Sequence, residues 1–285
     1  MTFSKNGFVE KSPGILRRSL AGLFFVLMAA CQKDPLPEKS PTKIEVPFYQ
    51  PKSFLEKGLV ESPWGLQEIW FRDYSRTHII VEGDMLLPRA RLLGSEESIS
   101  LGAFGVMMEE RLWPEGIIRY DFEPDLDSRL VQAFEAGVKA WNEKTKYTWV
   151  RKDADSSVYH VLVKRWYKGG GLSSVGRSPE SGKQYQEVLL DLDCLSRCLK
   201  HEMGHVMGLW HEHSRPDRDK YIEVHFENIA AEDQGNFATI NLTQSQVFSE
   251  FDINSIMLYG SEYLSVDDSL RSIVVQKSNL EAVAL

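Results

Sequence analysis

Four of the seven histidines crowd into the stretch 201–213, as His201, His205, His211 and His213. The segment His201-Glu202-Met203-Gly204-His205-Val206-Met207-Gly208-Leu209-Trp210-His211 constrains the fold more than any other. On an α-helix, residues four apart differ by about 40° around the axis, so His201 and His205 share one face and can grip one ion. A straight helix would carry the chain away. Gly208 permits the left-handed turn that ends the helix, and His211 then returns as a third ligand. Three neutral imidazoles leave one coordination position open, which marks a catalytic zinc site rather than a structural one. Glu202 lies beside them, suited to take a proton from metal-bound water. A chance HExxH is expected in roughly 1–2% of such chains, and the third histidine lowers that to roughly 0.04%. Histidines gathered only for packing are therefore set aside, and one zinc per chain is expected on His201, His205 and His211, with His213 pointing elsewhere.

The rest of the chain sets the context. Apolar residues are 42% and charged residues 26% of 285, which excludes a disordered, collagenous or polytopic membrane chain. A formal net charge of −8 argues against nucleic acid as a partner. Residues 1–30 read as an export signal. Lys5, Lys11, Arg17 and Arg18 precede the apolar run Leu20 to Ala30, which is too short to span a bilayer. Ala29-Ala30-Cys31 resembles a bacterial lipobox, with Met28 where leucine is usual, and makes Cys31 the lipid attachment point. A plain secretory signal is the alternative. One lipidated cysteine anchors a protein to the membrane without spanning it, so a secreted or cell-envelope location is expected. Residues 32–41 hold three prolines among charges and read as a tether.

Periodicity places the elements coarsely. Leu126, Leu130, Phe134, Val138 and Trp141 recur at helical spacing and predict an amphipathic helix over about 127–144. Strands are expected at 78–81, 117–120, 159–163 and 188–190, turns at 113–116 and 169–171, and a helix over 195–207. Residues 44–100 show only short apolar stretches. A helix, then strands, then an irregular tail predicts an α+β fold.

The long motif resembles that of the metzincin metallopeptidases. Its continuation, His211-Glu212-His213-Ser214-Arg215-Pro216-Asp217-Arg218-Asp219, resembles the astacin family, which carries glutamate directly after the third ligand. Ser255-Ile256-Met257-Leu258-Tyr259 resembles that family's Met-turn, with Leu258 where histidine is usual. The segments 113–120 and 171–177 also resemble it, with Arg119 in place of proline and Leu172 in place of a cysteine. Val81-Glu82-Gly83-Asp84 resembles its prosegment motif, with valine for phenylalanine.

The resemblance implies a metzincin-like catalytic domain: a twisted sheet, an active-site helix above the cleft, and an irregular lower half. It implies a zinc-dependent endopeptidase made as a zymogen, acting on protein or peptide substrates and released by an activating protease. Met257 would form an apolar floor beneath the histidines, and Tyr259 would stabilise the transition state. Asp84 would be the zymogen switch, binding zinc in place of the catalytic water. Residues 31–102 then form the tether and inhibitory prosegment, and 103–285 the peptidase domain, with a shortened C-terminal part because the chain ends soon after Tyr259. The cysteine that normally pairs with the one matching Cys194 is replaced by Leu172. A Cys194–Cys198 bridge is geometrically tight, and free thiols are expected instead. The alternative function is a non-catalytic surface lipoprotein that uses a degenerate peptidase fold for binding.

Overall fold

Strands dominate the first half of the chain because its apolar residues alternate or come in short runs bounded by turns. The computed structural model describes residues 55–62, 65–89, 92, 112–154, 157–179, 182–240 and 249–276. The export segment, Cys31, the tether, the stretch 93–111 and the residues after 276 lie outside these. Strands β1 (Glu56–Ser62), β2 (Gly65–Asp73), β3 (His78–Val81) and β4 (Met85–Pro88) pair antiparallel in succession. Then follow β5 (Ile117–Phe122), helix α1 (Ser128–Lys144), β6 (Thr148–Arg151), β7 (His160–Arg165), β8 (Gly171–Ser174), β9 (Tyr185–Leu190) and helix α2 (Arg197–Val206). One nine-stranded mixed sheet runs β1-β2-β3-β4-β8-β9-β7-β5-β6. Sequence patterning left β1, β2 and β4 unassigned. The structure adds them to the sheet of the C-terminal region through β4, which pairs parallel with β8 at Met85↔Ser173 and Leu86↔Ser174.

Helix α1 packs its predicted stripe on the sheet. Leu130 and Phe134 are fully buried and meet Tyr120 and Trp149, while the Asp127 side chain caps the first turn by accepting from Arg129 N at 2.9 Å. Leu199, Met203 and Val206 of α2 close the same core from the other end of the sheet. That burial fixes how α2 is rotated, and so where its histidines point.

The entry to α2 corrects one expectation. Cys194 and Cys198 form a disulfide, with Cα atoms 5.0 Å apart, rather than free thiols. The expectation placed both on one helix turn. The helix instead begins at Arg197, after Ser196 at φ −134°, ψ −95°, so Cys194 belongs to the preceding turn and can approach Cys198.

Past α2 the described residues are mostly turns and irregular segments with short 3-10 helices, and among them one short ladder joins β10 (Ile222–Val224) and β11 (Ile273–Val275). Side chains replace the missing backbone ladders. The buried Arg218 guanidinium donates to His213 O at 2.9 Å and to Phe237 O at 2.5 Å. Ile222, Ile229, Phe237, Phe251, Leu258, Tyr259 and Ile273 form this half's core. Among the described residues, no helix is long and apolar enough to cross a membrane.

Candidate metal centre

Three imidazoles meet where α2, the turn after it and β4 converge. His201 and His205 come from one face of α2. Gly208, at φ +103°, ends the helix in a conformation that costs a side-chain-bearing residue dearly, and the reversal brings His211 back. Each ring is fixed through Nδ1. His201 Nδ1 donates to Ile256 O and His205 Nδ1 to Leu209 O, both at 2.8 Å, because a carbonyl oxygen can only accept. His211 Nδ1 lies 2.8 Å from Glu82 Oε2. The three Nε2 atoms are thereby turned inward, and His201 Nε2 stands 3.0 Å from His211 Nε2. Anchoring the far nitrogen to an oxygen is how metal-binding histidines are held in the correct tautomer.

Asp84 completes the group. Its carboxylate lies 3.2 Å from His211 Nε2, 3.4 Å from His201 Nε2 and 3.7 Å from His205 Nε2. The ligand atoms of Asp84, His201, His205 and His211 all fall within 4.8 Å of one another. This donor set fits a divalent cation. Donor atoms this close repel unless positive charge lies among them, and a proton on His211 or a bound cation supplies it. His205 Nε2 and Asp84 Oδ1 are buried without a hydrogen-bond partner. Burial holds His205 down to about 4, so it is a neutral ligand at pH 7, whereas burial of His211 is outweighed by Asp84, which drives it up to about 10. Burial opposes ionisation of Asp84 too, but the His211 charge and the imidazoles that face the carboxylate hold it well below the usual carboxylate range. The centre therefore draws in positive charge, as a nitrogen and oxygen zinc site does.

Glu202 is buried beside the centre. Burial first, and the Asp84 charge second, push its carboxyl well above the usual range. Met257 lies under α2. Its Sδ is so close to Gly204 that a Cβ there would come within 2.5 Å of it, so any side chain at 204 would displace the methionine. Tyr259 is buried with its ring centre 4.5 Å from that of His211, and its hydroxyl donates to the backbone oxygen of Glu82. His213 is not in the Asp84 group; it stacks on His211 with ring centres 5.1 Å apart, and its Nε2 lies 3.1 Å from Asn236 O. Cys31 is not among the described residues.

The sequence reading gave no role to Glu82. It is buried at φ +47°, its carboxylate holds His211, and its carbonyl holds Tyr259. A bulky charged residue in that backbone region is uncommon, and such strain concentrates at functional sites. A carboxylate two residues before Asp84 was the available signal.

A mixed sheet that feeds an HExxH helix, with a glycine turn, a third histidine and a methionine floor, defines the metzincin class of zinc peptidases. The model for the peptidase family described as "Astacin" matches residues 105–284. Astacin-like metalloprotease toxin 1 of Loxosceles intermedia is 30% identical over 190 residues, which are 66% of this chain and 66% of the toxin. Bone morphogenetic protein 1 of Xenopus laevis is 32% identical over 159 residues, 55% of this chain and 22% of that protein. Among solved structures, High choriolytic enzyme 1, a hatching enzyme zinc-protease from Oryzias latipes, superposes with a TM-score of 0.51 at 25% identity, covering 60% of this chain and 84% of that one. The chain belongs to the astacin family. It spans about two thirds of the toxin's length and about a fifth of the Xenopus protein's.

Proposed function

We propose that this chain is a zinc-dependent endopeptidase held latent by its N-terminal strands. The observation that carries the reading is Glu202 buried beside three inward-facing imidazoles, because a purely binding protein has no use for a general base at that point. When bound, zinc supplies an acidified water and polarises the scissile carbonyl. Glu202 takes the water's proton and delivers it to the leaving amine. Tyr259, once freed from Glu82, supports the developing oxyanion, the role its place in the Met-turn implies. The β8 edge pairs with an extended substrate. In the latent chain β4 occupies that edge, and Ser173 N donates to Asp84 O at 3.1 Å. Asp84 holds the position that water needs. The Arg72–Asp233 ion pair and the packing of Trp70 on Gly235 fasten the strands to the lower half.

The lipobox-like Ala29-Ala30-Cys31 supports a bacterial cell-envelope lipoprotein, anchored after export. An activating protease would cut between Arg91 and Arg111. The test is hydrolysis of a quenched peptide by the trimmed, zinc-loaded protein. Activity lost to a chelator and restored by zinc is the expected result; a zinc-loaded, trimmed protein that cleaves nothing supports the binding-lipoprotein alternative.

The ligand assignment carries its own prediction. His205→Ala loses zinc on dialysis, because a ligand on the α2 face disappears. His213→Ala keeps about one equivalent, since its imidazole is turned toward Asn236. Metal analysis of both variants checks this, and the reverse pattern overturns the assignment.

A further inference from the structure

We infer that Ser173 is the positioning residue for Glu202, an inference that rests on the peptidase reading above. A general base needs one carboxylate oxygen aimed at the reacting water and the other held still. Ser173 is fully buried on β8, and its hydroxyl lies 2.7 Å from Glu202 Oε2 and 3.0 Å from Glu202 O. A hydroxyl has one proton, and donating it to the ionised oxygen is the stronger choice. Glu202 Oε1 is left to the cleft side. It packs against Gly171, where an added Cβ would come within 2.7 Å of it, and Glu202 belongs to the lining of a cleft of about 620 Å³. Helix α2 is bonded to the segment that follows β8 as well, since Gly176 N donates to His205 O at 2.8 Å.

The same residue faces the edge that a substrate would use. Ser173 N donates to Asp84 O in the latent chain. When the N-terminal strands leave, that N–H is free to pair with a substrate carbonyl. Ser173 therefore joins strand pairing on one side to the placing of the base on the other. A peptide docked on β8 lies in register with the oxygen that must take the proton.

The experiment is a double-mutant cycle with two readouts. In the trimmed, zinc-loaded enzyme, Ser173→Ala lowers kcat about tenfold or more, since a hydrogen bond to a charged group is lost, and leaves KM within about twofold. Ser173→Thr restores the donor and recovers most of kcat. In a Glu202→Gln background the alanine substitution has little further effect. An unchanged kcat, a threonine variant as poor as alanine, or an equal fall in both backgrounds overturns the inference. The second readout is the melting temperature of the uncleaved chain. Ser173→Ala lowers it when Glu202 is present and has little effect when Glu202 is alanine; equal effects in both overturn the contact. An inactive wild-type enzyme with zinc bound would refute the peptidase reading, while the melting cycle still decides on Ser173.

Discussion

Glu202→Gln lowers peptide hydrolysis by the trimmed enzyme by about 10² or more, with zinc content unchanged. The substitution keeps the size of the side chain and an oxygen that Ser173 can still address. It removes the site that accepts a proton. A carboxyl whose proton affinity is raised by burial can take a proton from water and return it to the leaving amine, and an amide can do neither. The ligand imidazoles are untouched by the substitution, and in the trimmed enzyme His201 and His205 stay fixed through Nδ1 to Ile256 O and Leu209 O. Zinc analysis beside steady-state kinetics separates a lost base from a lost metal. Activity within a few-fold of wild type, at full zinc occupancy, would remove Glu202 from the mechanism.

The meeting of the three imidazoles was legible because their spacing is local. A helix of period 3.6 fixes His201 against His205, and a glycine fixes the turn to His211, so the cluster follows from eleven residues of sequence. Helix α1 was legible for the same reason: Leu130, Phe134 and Val138 repeat on the buried face. Sheet pairing was not legible, because a strand's partner is set by distant residues. Met85-Leu86-Leu87 is a short apolar run with no period to declare it a strand, and its pairing with β8 joins residues far apart in the chain. Beyond Gly208 the chain is held by side chains such as Arg218 bonded to carbonyl oxygens, which leave no periodic trace. Ser173 and Glu82 stand inside the segments 171–177 and 81–84 that resemble the family, yet neither received a role. Each matters only through the residue it touches. The disulfide escaped because helix geometry was extended two residues too far toward Cys194.

Asp84→Ala raises hydrolysis by the uncleaved chain about tenfold or more, equivalent to about 1.4 kcal/mol or more of lost latch. Uncleaved wild type is nearly silent, because Asp84 stands within 3.7 Å of all three Nε2 atoms and β4 occupies the β8 edge. The alanine variant opens the metal's free position but leaves three contacts in place. Glu82 still holds Tyr259 through its carbonyl, and its carboxylate still faces His211. The ion pair Arg72–Asp233 still fastens β2. The variant therefore stays below the activity reached by cutting between Arg91 and Arg111, which releases all of these together. Peptide hydrolysis by uncleaved wild type, uncleaved variant and trimmed enzyme, with chain length checked after each assay, ranks the three. Full activity in uncleaved wild type rules out latency. An uncleaved Asp84→Ala variant as silent as wild type, yet active once trimmed, moves the latch from Asp84 to Glu82 and the strand pairing. Asp84→Ala as active as the trimmed enzyme means that the carboxylate alone keeps the chain inactive, and that strands β1 to β4 serve only to bring it to the metal.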